Sequence, residues 1–416
     1  MRRVAAAAVV GLALIGAGPA AAIEALDLKP RGATVERTLW LVEDRDDWVN
    51  DLVPLPDGGF LAVGFLGRDD AVEGEDWTGF VQRFDRDERE VWRRDHGQGS
   101  GTDALWTVAR RRGGGFVGVG FTDRIGAGGL DGWIVRLGPD GELVGEATVG
   151  GPGYDRLTDL APAQGGGFVA VGFTTGDGRD VLVVGLDDDG RERWRRVYGG
   201  PGAQSALYVE PAGDGGFIVN GGDDAAGDGD VLVLKLDADG REVWRKLIGE
   251  RGGLDVPHNL HVLPDGRIRM SGYTASWGAR GPHDMFALTL DPDGETQRLE
   301  LFGGDGDERV IGAALDAQGR SWVTGYTRTS TGGDWDAFLV RLDADGGFEG
   351  WIALLGHPGL DDNGTTVRPD ADGSAWVGLY TTSLADPEHP SGQDIVIARI
   401  TPTLDAHPAF ARRRIR

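Results

Sequence analysis

"LDADGREVWRKLIG" at residues 236–249 nearly repeats "LDDDGRERWRRVYG" at 186–199, fifty residues upstream. The hairpin belongs to a longer unit. A marker glycine, followed by Phe or Tyr and then Thr or by a close variant, recurs at Gly64, Gly120, Gly172, Gly221, Gly272, Gly325 and Gly378. The steps are 56, 52, 49, 51, 53 and 53 residues. Glycine turns precede it, as in "PDGGF" at 56–60 and "GGGF" at 113–116 and 165–168. After it come a variable loop and an apolar run closing on Phe84, Leu137, Leu186, Leu236, Leu290, Leu342 or Ile400. A period of this length marks one supersecondary unit repeated along the chain. There are seven copies.

Within a unit every segment reads as strand. "FVAVGFT" (168–174) and "DVLVVGLD" (180–187) are β-branched, bounded by Gly and Asp, and lack a helical period. The Asp-Gly of "DADG", "DDDG" and "DPDG" supplies the positive φ that a tight hairpin needs. The fourth segment, "REVWRKLIG", sets a Trp among charges, which suits an outer edge that must not pair with another molecule. Four antiparallel strands per unit predict an all-β, seven-bladed β-propeller. The termini favour a closed ring over an open solenoid. The seventh unit, ending in "IVIARITPTLDAHP" (395–408), has a third strand but no Trp-bearing fourth. "VERTLWLV" (35–42) is a fourth strand with no first three, its Trp40 matching Trp92, Trp194 and Trp244. It is predicted to pair with Ile395–Ile400 and complete the last blade. The propeller then spans 35–404, between a linker (23–34) and a tail (405–416).

The first 22 residues, "MRRVAAAAVVGLALIGAGPAAA", read as a signal peptide cleaved after Ala22. Their apolar run falls short of the roughly 20 residues a membrane span needs, and no other stretch is apolar enough. A periplasmic or secreted protein is expected, not embedded in the membrane. The chain has no cysteine, hence no disulfide and no thiolate site. Net charge is −25, or −27 once Arg2 and Arg3 leave with the leader. Such a surface disfavours nucleic acid and anionic lipid, whose phosphates need basic partners, and it favours a soluble monomer. The 13 Trp and 14 Phe exclude a disordered acidic chain.

The pattern "LDxDGxxxWxxxxG", as at 236–249, resembles the repeat of bacterial quinoprotein-like (PQQ-like) propellers and of exported propellers that share it without binding quinone. The resemblance implies a fold and a compartment more than an activity. The redox enzymes of that group use larger rings and dedicated cofactor residues, none of which has a match here. The adjacent cysteines of some of them are absent.

Candidate site residues come in two kinds. Asp47, Asp103, Asp155, Gln204, Asp255, Glu308 and Asp361 recur ahead of the first strands. Asp131, Asp180, Asp230, Asp284, Asp336 and Asp394 open the third strands, with Asp76 nearby in the first unit. On one face of a ring they would form a double acidic crown, able to hold a cation or steer a basic partner. Equally, each could cap its own loop, and regular repetition favours caps. The "DxDG" turns lack the distal carboxylate of a calcium loop. "GGDDAAGDGD" (221–230), with Asp223, Asp224, Asp228 and Asp230, is the better calcium candidate. Ca²⁺ is therefore the one cofactor in view, and none is expected.

The second kind breaks the repeat. Loops 274–284 and 381–394 carry Trp277, Arg280, His283, Glu388 and His389. Aromatic and Arg side chains supply a large share of interface energy, so binding is expected to centre on Trp277 and Arg280. His258 with Asp255 and His283 is a weaker, metal-binding alternative. "GGGFVGVG" (113–120) is followed by no helix, and no "GxSxG" occurs. Carboxylates are too abundant to single out a glycosidase pair. The expectation is a non-catalytic binding or scaffold module for a protein or glycan of the cell envelope. The alternatives are a propeller enzyme (hydrolase, lyase or quinoprotein oxidoreductase) with an acidic, Ca-dependent channel site, or a passive envelope component.

Overall fold

The computed structural model describes residues 33–41, 48–67, 77–97, 101–176, 178–225, 229–250, 252–328, 333–355, 361–381, 394–402 and 411–415. Seven antiparallel sheets, most of four strands, form the ring. The innermost strands are Trp48–Pro54, Asp103–Arg110, Arg156–Pro162, Gln204–Pro211, Asp255–Pro257 with His261–Val262, Glu308–Leu315 and Asp362–Pro369. They define blades one to seven.

Both chain ends build blade seven. Ala33–Leu41 pairs antiparallel with Asp394–Pro402, in a register running from Ala33 opposite Pro402 to Leu41 opposite Ile395. The core lies between blades, because each sheet buries both faces: all of Phe116–Thr122 is buried. Across the closing junction, Trp376, Ile395 and Ile397 of blade seven pack with Val49, Leu52, Phe60 and Phe80 of blade one. The ring is therefore sealed by the same apolar layer that joins its other blades.

The repeated hairpin is explained by two contacts. The first Asp of "LDxDG" accepts the backbone N–H groups two and four residues on: Asp237 Oδ1 takes Asp239 N (2.9 Å) and Arg241 N (2.7 Å). Asp187, Asp291, Asp316 and Asp343 do the same. In blades two, four and five the turn glycine then sits against the preceding blade's Trp, whereas Gly190 of blade three meets Val117. A Cβ on Gly240 (φ +74°) would lie 2.3 Å from the Trp194 ring, and one on Gly141 2.5 Å from Trp92. Asp and Gly make the turn, and Gly and Trp lock it to its neighbour. The turn aspartates thus have a structural role, holding the backbone of the turn through Oδ1.

The marker glycine has a different cause. In blades one to four and six the inner strand carries a β-bulge opposite it, for instance between Leu105 and Thr107 where Leu105 faces Gly120, while in blade seven Leu379 holds that place opposite Gly364. The bulge pushes main chain toward the glycine, so that a Cβ on Gly120 would lie 1.9 Å from the Ala104 carbonyl oxygen. No side chain fits there.

One element was read differently from sequence. Ala411–Ile415, within the expected tail, adds a strand at the outer edge of blade five, with Ala411 opposite Gly303 and Ile415 opposite Leu299. The arginine-rich "ARRRI" caps that edge, a role that its isolated position after the last repeat gave no means to foresee.

Candidate functional site

The bulges also build the channel wall. Asn50, Trp106, Thr158, Leu207, Ile311 and Thr365 are the extra residues of six inner strands, and all line a central cavity of about 490 Å³. In blade five the strand is interrupted instead at His258–Leu260. There the Asn259 side chain replaces the ladder, accepting Ser271 N–H (3.0 Å) and donating to Ser271 O (3.1 Å).

Polar groups on the wall fasten neighbouring blades. Asn50 Nδ2 donates to Leu105 O (2.8 Å) and Thr107 Oγ1 to Asp51 Oδ2 (2.6 Å). Asp159 Oδ2 accepts Val209 N–H (2.8 Å) from the next blade. Burial pushes Asp51 up to about 6 and Asp159 up to about 7, in spite of these bonds. Burial raises Tyr208 as well. Burial, helped by the Arg309 charge, lowers His258 to about 4, so its imidazole is neutral.

The mouth where the inner strands begin is aromatic. The marker residues Phe65, Phe121, Phe173, Tyr273, Tyr326 and Tyr380 stand around it, and Gly222 takes the place in blade four. Added aromatics join them into a collar. Trp48 lies 4.2 Å from Tyr380 and 6.3 Å from Phe65, and Phe65 is 4.5 Å from Trp77 (ring centroids). Trp77 and Trp106 both meet Phe121, at 6.2 and 6.5 Å. Across the mouth, His258 stacks on Tyr273 (5.4 Å), and Tyr326 meets Trp335 edge-on (4.7 Å). Arginines lie on these rings: Arg156 on Phe121 (4.3 Å), Arg179 on Phe173 (5.6 Å) and Arg328 on Trp335 (4.2 Å). Phe65 and Phe121 are buried, whereas Trp48, Trp106, Phe173 and Tyr273 are half-buried and open to the mouth.

The inner-strand ring of the acidic crown is internal, whereas Asp180, Asp230 and Asp336 of the third strands are half-buried. Asp103, Asp155, Asp255 and Glu308 are at most 1% exposed, which leaves them nothing to present to a partner. Asp155 accepts Gly151 N–H (2.8 Å) and Thr175 N–H (3.2 Å), Asp255 accepts the Thr274 and Ser276 hydroxyls, and Glu308 accepts Gly304 N–H (3.0 Å). Asp103 lies 3.5 Å from Arg124. Burial, more than any neighbour, raises Asp103 and Asp255 to about 6 and Glu308 to about 7. The equivalent position in blade seven is Asp362, not Asp361. Asp362 faces Thr381 as Asp103 faces Thr122 and Asp255 faces Thr274. Asp361 is one place outside, accepting Trp335 N–H (3.0 Å). Asp47 and Asp76 lie outside the described residues.

The irregular loop of blade five also turns inward. Trp277, at φ +48°, is 6% exposed and packs edge-on against Phe286 at 5.4 Å. It belongs to the core between blades four and five; an indole so placed cannot anchor a partner. Arg280 stays on the surface in an ion pair with Asp305 (3.1 Å). His283 Nδ1 meets Asp307 Oδ1 at 2.9 Å, and its ring meets Tyr273 edge-on. Glu388 and His389 lie outside the described residues. His258, Asp255 and His283 have separate partners, and among the described residues no three His, Asp or Glu converge as metal ligands. In the 221–230 loop, Asp223 caps Ala225 N (2.8 Å) and Asp224 caps Ala203 N (2.6 Å); Asp228 is outside the described residues.

The collar was missed in sequence. Its signal was the marker aromatic itself, which served there only to count repeats.

No family model matches the chain, and no curated protein does. Among solved structures it is similar to the polysaccharide lyase Uly1, at TM-score 0.52 and 10% identity, over 89% of this chain and 99% of that one. It is also similar to a Synechocystis apocarotenoid oxygenase variant, at TM-score 0.48 and 11% identity over 88% and 96%. At these identities the likeness shows the propeller fold alone.

Proposed function

We propose that the chain is an exported, non-catalytic binding module that takes a glycan of the cell envelope at the aromatic mouth of its channel. The observation that carries this is the collar: half-buried Trp48, Trp106 and Phe173 line a cavity of about 490 Å³, and Tyr273 stacks on His258 of its wall. That volume falls in the range of small-ligand pockets, roughly 300–1,000 Å³, whereas a protein partner wants a broad surface. A sugar's C–H face is weakly positive and matches the negative face of an aromatic ring. Thr158, Glu210 and Asn50 on the channel wall add polar groups to fix orientation. A kinship with quinoprotein-like propellers remains a proposal resting on the hairpin motif, and it assigns no quinone.

On a glycan array, the mature chain is expected to bind a subset of envelope polysaccharides, with roughly tenfold loss in Trp106→Ala and none in Arg280→Ala. Loss in Arg280→Ala with normal binding by Trp106→Ala would return the site to the blade-five loop. The export half of the proposal rests on the leader-like residues 1–22. N-terminal sequencing of protein from periplasm or medium should begin at Ile23; a mature species that keeps Met1 would refute it.

A catalytic reading has one observation in its favour, the two channel carboxyls raised toward neutrality, Asp51 and Asp159. Such groups mark many active sites. Here both are held in bonds between blades, and such networks also perturb pKa values. Release of reducing ends from any bound glycan, abolished by Asp51→Asn or Asp159→Asn, would favour this reading.

A further inference from the structure

Arginines stacked on aromatic rings gather at the mouth of a protein whose formal net charge is −25. Arg309 lies 5.5 Å from the Tyr273 ring and 5.8 Å from Trp335, whose ring also carries Arg328 at 4.2 Å. With His258 stacked on Tyr273, this makes a ladder from the rim of blade six to the cavity wall. On the blade-three side, Arg156 and Arg179 lie on Phe121 and Phe173. Asp307 takes the Arg309 fork through both of its oxygens (3.2 Å each) and meets His283, while Asp361 and Asp123 accept Trp335 N–H and Thr102 N–H (2.7 Å) and keep their formal charge. Among the described residues, no ion pair holds Arg179 or Arg328; both are exposed.

We infer that this ladder is an anion subsite, and that the glycan taken at the mouth carries carboxylate or sulfate groups. The inference rests on the reading that a glycan occupies the collar. Arg309 is held by Asp307, so the ligand-facing member is Arg328: a guanidinium lying on an aromatic ring keeps its N–H fork in plane, at the edge of the ring and ready to meet two oxygens. Holding the fork in place beforehand lowers the entropy lost on binding. A carboxylate and a sulfate both offer the oxygen pair that this fork fits. Trp335, with an arginine on it and another beside it, provides the stacking surface for the ring that bears the anion.

The test uses the full mature chain and paired probes: oligogalacturonate against its methyl ester, and sulfated galactan oligosaccharides against the desulfated form. At low salt the acidic member of at least one pair is expected to bind roughly tenfold tighter than its neutral partner, with the advantage shrinking as salt rises. Which pair shows it separates carboxylate from sulfate. Arg328→Ala, an exposed position expected to fold normally, should bring the ratio of acidic to neutral affinity close to one; Arg309→Gln is the second variant, with folding checked by melting. Trp106→Ala should weaken both members. Equal affinity for acidic and neutral members would overturn the anion subsite and leave the glycan site standing. Binding of no probe, or binding indifferent to Trp106→Ala, would overturn both.

Discussion

Removing residues 33–41 is expected to open the ring, with aggregation or a fall in melting temperature of roughly 10 °C or more. The strand they form pairs along its length with Asp394–Pro402. In that partner Ile395, Val396, Ile397, Ala398 and Ile400 are fully buried. Without the outer strand their backbone N–H and C=O groups face water along an apolar edge, a template for pairing with other chains. The loss would also reach the adjoining layer, where Ile395 and Ile397 pack on Val49 and Phe60. A rescue follows from the register. Ala33 lies opposite Pro402, so residues 33–41 re-attached after Pro402 through a "DADG" turn would form an ordinary outer hairpin. Thermal melting of deletion and permuted chain checks both. A deletion that melts with the intact protein would contradict ring closure by this strand.

Melting temperature is expected to fall by several degrees between pH 5 and pH 8. Asp51, Asp103 and Asp255 are raised to about 6, Asp159 and Glu308 to about 7, in each case by burial. An acid whose pKa is higher folded than unfolded adds stability that is full below its unfolded value and lost as pH rises through the folded one. The window is therefore roughly pH 4–7. His96 and His258 act against this, since burial lowers both to about 4 and the unfolded chain takes up their protons below about 6.5. Five carboxyls outnumber two imidazoles, and the net charge of −25 adds repulsion as pH rises. Glu308 has a geometric reason as well: Gly303 sits between it and Asp284, so that a Cβ there would lie 2.7 and 2.3 Å from their carboxylate oxygens. Two buried carboxylates so close resist double ionisation. Glu308→Gln should flatten the profile and raise the melting point at pH 8. A profile that rises from pH 5 to 8 would contradict these assignments.

The parts of the fold legible in sequence are those written repeatedly. Asp237 and Gly240 state one turn, and the same statement at Asp187 and Gly190 confirms it. Trp40 was legible as a displaced fourth strand because Trp92, Trp194 and Trp244 supply the template. The site was less legible, for two physical reasons. A bulge residue leaves no signature of type: Asn50, Trp106, Leu207 and Ile311 hold equivalent places on the channel wall and share no chemistry. A residue that occurs once has no copies to fix its direction. Trp277 looked like a surface anchor, yet its left-handed backbone turns the indole onto Phe286. The adjacent aspartates 361 and 362 show the same limit on a smaller scale, since only strand pairing tells which of them faces Thr381.

Amide hydrogen exchange of the mature chain, with and without a glycan selected from the array, tests the central claim most directly. Ligand at the mouth is predicted to slow exchange in peptides covering the starts of the inner strands and the collar, notably 102–107, 256–260, 271–274 and 333–336. Protection confined to residues 275–282, or to outer strands such as Glu242–Ile248, with the collar peptides unchanged, would contradict it.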